Sequence, residues 1–350
     1  MTLTILNDVH IGANRTSGTT PQSAWQLRQD LLKQFEDLLY AADGDLMLLG
    51  DLFDGPDIPK PDLLRAFLLL SDWCVRSPGK LYLVPGNHDL SKSSLQMSAF
   101  QLLGALLEAA HGPRVVYMTE AGMTPYGYVI PHVPNQDLFD MELARVPACP
   151  LLFVHCNYDN HFAQESDHSL NLSQEQAEKL PVTHIVFAHE HISRVELDDK
   201  VVIIGNQFPS SVSDCLNNET KHRLVVDLPP IGFADDGEPQ LNFVETWAAE
   251  GDYSEQHWTE LKDIGRLIRV VGAVPSAQAD QFVRTMAAFR KSAAALVITN
   301  AAKIEGVSDA TQIEMSMEAV TNFNVREALR ELLDEVENNK IDKLLEENPC

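Results

Sequence analysis

The sequence predicts an α/β protein in which two β-sheets stack as a sandwich flanked by helices, followed by a small C-terminal α/β cap domain and a terminal helix. Three observations carry this expectation. Short apolar runs alternate with helix-spaced segments through the first 110 residues, apolar runs dominate from residue 114 onward, and a strand-helix-strand pattern returns after a stretch rich in Pro, Gly and Asp.

The run TLTILN at 2–7 reads as a strand, and Trp25, Leu27, Leu31, Leu32, Phe35, Leu38 and Leu39 then fall at helical spacing over 25–41. LMLLG at 46–50 precedes a helix over 61–76, where Pro61 suits a first turn, and LYLV at 81–84 precedes a helix near 95–110. Such alternation predicts βαβ units and a buried, largely parallel sheet. RVVYM at 114–118, YGYVI at 126–130, LLFV at 151–154, HIVFA at 184–188, VVIIG at 201–205 and RLVVDL at 223–228 predict a second sheet packed on the first. PPIGFADDGEPQ at 229–240 reads as a surface loop. These patterns divide the chain into a large first domain over 1–250, a boundary at 250–262, and a cap over 262–305. The cap is built from RLIRVVGAV (266–274), a helix over 276–292 and ALVITNA (295–301). An acidic helical segment over 320–350 follows, with Val325, Leu329, Leu332, Leu333, Val336, Ile341, Leu344 and Leu345 at short helical steps, interrupted by Asn338 and Asn339.

Composition excludes several classes. With 45% apolar, 22% charged and 7% aromatic residues over 350 positions, the chain is that of a globular protein able to form a sizeable core. The start, MTLTILNDVHIG, lacks a basic segment followed by an apolar one, and no apolar run approaches the roughly 20 residues of a membrane span. No membrane association and a cytoplasmic location are therefore expected. Cys74, Cys149, Cys156, Cys215 and Cys350 show no C-x-x-C spacing, and their odd number fits buried thiols in a reducing compartment. The balance of 26 basic against 51 acidic side chains, a formal charge of −25, opposes non-specific binding to nucleic acid or anionic membrane. Bound divalent cations and a few local basic residues can still recruit phosphate while the far surface stays acidic.

The chemistry lies where polar residues meet strand ends. Asp8 and His10 follow the first strand as D-x-H, Gly50-Asp51 ends the second, and Gly86-Asn87-His88-Asp89 ends the third. His155 ends LLFV, and Ala188-His189-Glu190-His191 ends HIVFA. Five strand ends each deliver an oxygen or nitrogen ligand, at the carboxyl edge where open α/β sheets build sites. Asp, Asn and His without a thiolate suit Mn, Fe, Zn or Mg in a catalytic role rather than a closed structural zinc site. Seven such groups exceed one ion and fit two that share a bridging carboxylate, for which Asp51 is the natural choice. Two ions so placed can bind phosphoryl oxygens and activate water. His132, His161 and His168 compete with His155 for its role, and the strand-end position favours His155. Gly50 and Gly86 permit tight turns with backbone close to the ions. Cys156 reads as a buried spectator; Asp54 and Asp57 read as solvated loop carboxylates, with support of the ligands around Asp51 as the alternative. Arg15, Arg28 and Lys92 lie near these loops as candidate phosphate contacts. Lys262, Arg266, Arg269, Arg284, Arg290 and Lys291 form a basic set in the cap, read as a solvated face with contact to DNA as the alternative.

D-x-H, G-D, G-N-H-D, H and x-H-x-H in this order resemble the calcineurin-like metallophosphoesterase superfamily over roughly residues 2–210. The resemblance implies Asp8, His10, Asp51 and His191 at one metal, and Asp51, Asn87, His155 and His189 at the other. It implies His88 as the acid that protonates the leaving oxygen or stabilises the transition state, with Asp89 as its orienting partner. Ala188 departs from the usual Gly at its position. NDVHIG, LLGDLFD, VPGNHD and the appended C-terminal region are further similar to the nuclease subunit of SbcCD-type DNA-repair complexes and to phage exonucleases of that type. That similarity implies DNA ends as substrate, Mn as the favoured ion, exonuclease action with some single-strand endonuclease activity, and the host cytoplasm if the chain is phage-encoded. It also implies a coiled-coil ATPase subunit gripped by the C-terminal helix, which could instead fold back or pair with a second copy. The alternative within the superfamily is a small-molecule or cyclic-nucleotide phosphodiesterase, which the acidic surface favours.

Overall fold

A computed structural model describes residues 1–13, 21–91, 96–160, 169–209, 211–215, 220–229 and 238–305. Arg15, Lys92, His161, His168, Cys350 and the acidic segment 320–350 lie outside the described residues.

Two six-stranded sheets form the body of the protein. In the first, Gln240–Ala248, Thr220–Asp227, Thr2–Leu6, Asp45–Leu49, Leu81–Val84 and Val115–Tyr117 lie side by side in that order. In the second, the order is Arg194–Glu196, Val201–Ile203, Val182–Ala188, Cys149–His155, Tyr128–Ile130 and Gly122–Met123. Thr2–Leu6, Asp45–Leu49 and Leu81–Val84 run parallel, as do Tyr128–Ile130, Cys149–His155 and Val182–Ala188. Parallel strands require helical crossovers, so the first half of the chain reads as strand-helix alternation. The chain does not change sheets once at residue 114. Val115–Tyr117 still extends the first sheet, and Thr220–Asp227 returns to pair antiparallel with Thr2–Leu6.

Alternate strand residues serve different layers. Leu3, Ile5, Met47, Leu49, Tyr82 and Val84 point into the space between the sheets, where they meet Val129, Leu151, Phe153, Val186 and Val202. Leu6, Leu46, Leu48, Leu81 and Leu83 point the other way, onto helices carrying Leu31, Phe35, Leu70, Trp73, Phe100 and Leu103. Leu152, Val154, Ile185 and Phe187 do the same for the second sheet against Phe139, Leu143 and Ala177. A strand covered on both faces must be apolar throughout, and LMLL and LYLV are.

The helices on the first sheet are Pro21–Tyr40, Lys60–Arg76 and Ala99–His111. Pro61 falls in the first turn of the second, where a missing N–H costs nothing. The third opens later than the expected residue 95, because Ser98 and Gln101 form a reciprocal capping box that satisfies the amide donors of both residues and starts the helix at Ala99. Arg28 pairs with Asp62 across two helices, which makes it a packing tie rather than a phosphate contact.

A separate three-stranded parallel sheet follows, ordered Tyr253–His257, Leu267–Val271, Val297–Asn300, with the helix Ala279–Ser292 against it. Its own core gathers Trp258, Ile268, Val270, Phe282, Met286 and Ile298. The strand Tyr253–His257 lies before the expected start at 262 and is its edge strand. The other face, through Leu267, Leu296 and Val297, packs into the helical layer of the first sheet. Two members of the basic set are internally paired: Arg266 with Asp252 and Asp30, and Arg269 with Glu255. Cys74, Cys149, Cys156 and Cys215 are free thiols. Among the described residues no helix is long and apolar enough to cross a membrane.

Candidate metal centre

The carboxyl ends of the parallel strands of both sheets meet at one place. Backbone pairing continues past the strands, with Asp8 N–H donating to Gly50 O at 3.1 Å and His10 N–H to Asp51 O at 3.0 Å. Gly50 N–H in turn donates to Val84 O at 2.9 Å, so the three loops carrying Asp8, Asp51 and Asn87 are tied edge to edge. Asp8, His10, Asp51 and His189 all take left-handed backbone conformations, with φ of 50°, 52°, 50° and 87°. Such conformations cost about 1–3 kcal/mol each and persist where surrounding contacts over-determine them. Asp and His bear them better than β-branched residues do.

Two clusters result. Asp8, His10 and His191 form one, and Asp51, His155 and His189 the other. In the first, His10 Nε2 and His191 Nε2 are 3.2 Å apart, and Asp8 Oδ1 is 4.0 Å from His191 Nε2. In the second, His155 Nε2 is 3.3 Å from Asp51 Oδ2 and 3.1 Å from Asn87 Oδ1. All seven strand-end residues singled out from the sequence are thus brought together. A third grouping, His10, Asp54 and His88, adjoins them. Asp54 is therefore part of the site, with Oδ1 at 3.3 Å from His10 Nδ1, while Asp57 is exposed as expected.

The donor set fits cations. Asp8 Oδ2 accepts from Asn7 Nδ2 and from His189 N–H, whereas the buried Oδ1 has no hydrogen-bond partner. One oxygen is anchored and the other is left for a ligand. The imidazoles repeat this arrangement: His155 Nδ1 faces the Leu49 carbonyl at 3.1 Å and His191 Nδ1 faces Asp214 Oδ1 at 2.8 Å. Each outer nitrogen is the donor, so each Nε2 is the atom turned toward the neighbouring ligand atoms, where a cation can take the place of a proton. Lone pairs converging in a buried space call for a cation between them. Asp8, His10 and His191 would hold one ion, Asn87, His155 and His189 a second, and Asp51 can serve both.

Electrostatics follow the same geometry. Burial alone would raise the Asp51 carboxyl, but the imidazole of His155, with His10 and His88, holds it well below the usual carboxylate range. Burial lowers His189 to about 4, with His155 contributing, so it stays neutral and able to ligate. His132, lowered to about 4 by burial and by His155, belongs to neither cluster.

Gly50 and Gly86 leave room that the site uses. A Cβ at Gly50 would lie 2.1 Å from His155 Nδ1, and one at Gly86 2.2 Å from Asp51 Oδ1. Ala188 needs no such allowance: it is an ordinary strand residue paired with His155, its methyl buried between the sheets.

His88 sits at the rim. Its N–H donates to Asp51 Oδ1 at 2.9 Å, and its Nδ1 donates to the Asp54 carbonyl at 2.9 Å, which leaves Nε2 for a substrate. It opens on a cleft of about 510 Å³ lined by Asn87, Asp54, Pro56, Leu90, Ser91 and Gln96.

Asp89 does not play the part expected of it. Its wholly buried carboxylate accepts from the N–H groups of Phe53 at 3.0 Å, Gly86 at 3.0 Å and Leu52 at 3.4 Å. The Asp54 carbonyl orients His88, and Asp89 fastens the Asp51 and Asn87 loops together. Burial and the Asp51 charge push it up to about 8, opposed by the Gly86 and Phe53 donors. Asp89→Ala strands three amide donors and should cost about 3–5 kcal/mol in urea unfolding of the metal-free protein. A loss below about 1 kcal/mol would show that these bonds do not hold the loops.

Supporting residues that the sequence pattern does not mark include Asp214 behind His191, and Gln207. The Gln207 side chain accepts from Asn7 N–H at 2.9 Å and donates to Asn7 Oδ1 at 2.8 Å, steadying the residue that anchors Asp8.

Two cation-ready clusters thus lie at the converging strand ends of the two stacked sheets. The calcineurin-like phosphoesterase family profile matches residues 1–193, and the chain belongs to that family, which hydrolyses phosphoesters with divalent metals. Among solved structures, an archaeal phosphodiesterase is similar at 9% identity and a TM-score of 0.32, over 70% of this chain and 100% of its own. The protein TT1561 of Thermus thermophilus is similar at 13% identity and a TM-score of 0.39, over 70% of this chain and 99% of its own. Neither likeness bears on substrate. No curated protein sequence matches the chain.

Proposed function

We propose that the chain is a two-metal phosphodiesterase acting on DNA, as an exonuclease with single-strand endonuclease activity, and that Mn is its preferred ion. The observation that carries the phosphodiesterase reading is the presence of two ligand clusters at neighbouring strand ends, one of them holding Asp51, with His88 beside them on an open cleft. When bound, two divalent ions supply Lewis acidity toward the phosphoryl oxygens. The chain's own residues do the rest. His88, kept in one orientation by the Asp54 carbonyl, donates from Nε2 to the leaving oxygen once it is protonated. Asp89 holds the loops that set its distance from Asp51.

The order of the motifs and the appended C-terminal sheet support DNA as substrate, through their similarity to SbcCD-type nucleases. A second reading, a small diester or cyclic nucleotide, is favoured by the charge of −25 and by the internal pairing of Arg266 and Arg269. Purified protein with Mn should be offered linear duplex DNA, single-stranded DNA, bis-p-nitrophenyl phosphate and 2′,3′-cyclic AMP in parallel, with His88→Ala as control. We expect nucleotide release from DNA, reduced about 10²- to 10⁴-fold in the variant, the range for loss of a positioned acid. Intact DNA beside cleaved small diesters would replace the nuclease reading with the second one.

A further inference from the structure

The chain beyond the family match, which ends at residue 193, reaches back to the first cluster at His191. Asp214 stands on a single 3-10 turn, Val212–Cys215, and is nearly fully buried. One of its oxygens accepts from His191 Nδ1 at 2.8 Å and the other from Ser211 N–H at 2.9 Å. Lys221 is wholly buried, and its Nζ donates to the backbone carbonyl of His191 at 2.8 Å. A lysine on a sheet strand reaches that place because the ladder with Gln240–Ala248 is irregular between Lys221 and His222. Such a bulge re-aims a side chain. His191 is therefore gripped twice, by the ring and by the backbone. His155 in the other cluster rests on a neutral carbonyl instead.

We propose that Asp214 and Lys221 are positioning residues for His191, and that they strengthen cation binding at the Asp8–His10–His191 position selectively. The proposal rests on the two-ion reading above. A carboxylate behind a ligating imidazole fixes the tautomer and makes the opposite nitrogen more basic. The Lys221 ammonium compensates the buried Asp214 charge and fixes the His191 main chain, so the ring cannot swing away. Val212 and Cys215, flanking Asp214, pack in one cluster with Leu267, Leu296 and Val297 of the small C-terminal sheet, which gives the carboxylate a rigid floor.

The test is Mn titration of the metal-free full-length chain by calorimetry, with circular dichroism to confirm folding. Wild type should bind two ions. Asp214→Ala should weaken one of them about 10- to 100-fold, the range for lost partners of metal-ligating histidines. Asp214→Asn should lose less, because its amide oxygen still accepts from Nδ1. Lys221→Met should weaken the same ion. In a His191→Ala background Asp214→Ala should add nothing further, while in a His189→Ala background its full effect should remain. An equal effect in both backgrounds, or no effect of Asp214→Ala and Asp214→Asn in either, overturns the proposal. Failure of the wild type to bind Mn at all overturns the two-ion reading itself, a result distinct from either.

Discussion

Gly86→Ala should abolish metal-supported hydrolysis while leaving most of the fold intact. The added Cβ would stand 2.2 Å from Asp51 Oδ1, 2.5 Å from Asp51 N and 2.8 Å from His155 Cε1. Two of these neighbours are the candidate ligands themselves and the third is backbone, so nothing flexible is available to yield. Gly86 does not have a positive φ, so the effect would be steric rather than torsional. A shift of about 1 Å in a catalytic constellation costs on the order of 100-fold in rate, and two ligands would move here at once. We therefore expect at least about a 100-fold loss in kcat/KM on bis-p-nitrophenyl phosphate, with a stability loss of about 1–3 kcal/mol from overpacking. Gly122→Ala is the matched control, because its nearest contact would be Met118 Cε at 4.0 Å. Activity retained in Gly86→Ala would mean that Asp51 and His155 are not the acting ligands.

Asp51→Asn should have the second large effect. The substitution keeps the shape of the side chain and removes the carboxylate of the second cluster, which the two-ion reading assigns to both ions. Burial works to lower the neighbouring His155, and the Asp51 charge 3.3 Å away overrides it, pushing the imidazole up to about 9. Without that charge, burial dominates and the local field that attracts cations is lost. Removing one member of a buried charged set costs about 3–5 kcal/mol, which converts to a loss of roughly 10²- to 10⁴-fold in affinity. We expect both ions to weaken in a Mn titration, and hydrolysis to fall at least in proportion. Weakening of a single ion would assign Asp51 to one position only and remove its bridging role.

The residues that the sequence made legible are those whose chemistry is written locally. Asp8, His10, Asp51, Asn87, His155, His189 and His191 each follow an apolar strand, and a polar ligand at a strand end is visible without a partner. The contacts that support them are not. Asp214 lies 23 positions from His191 and inside a polar stretch that reads as a loop. Lys221, 30 positions away, looks like a surface lysine until the irregular ladder turns it inward. Asp89 differs for the opposite reason: the resemblance implies a partnership with the adjacent His88, while the geometry turns its carboxylate toward Leu52 and Phe53. The strands Gln240–Ala248 and Tyr253–His257 escaped because QLNFVETWA and YSEQH carry too few buried positions to show a two-residue period. Each is a sheet edge, where one side need not be apolar.

The most direct test is a count of ions per chain. Purified protein, stripped of metal and equilibrated with Mn, should carry two ions by elemental analysis, falling toward one in His191→Ala and in His155→Ala separately. Stoichiometry of one or none in the wild type, or a count of two that survives both substitutions, would contradict the assignment of the strand-end clusters as the metal centre.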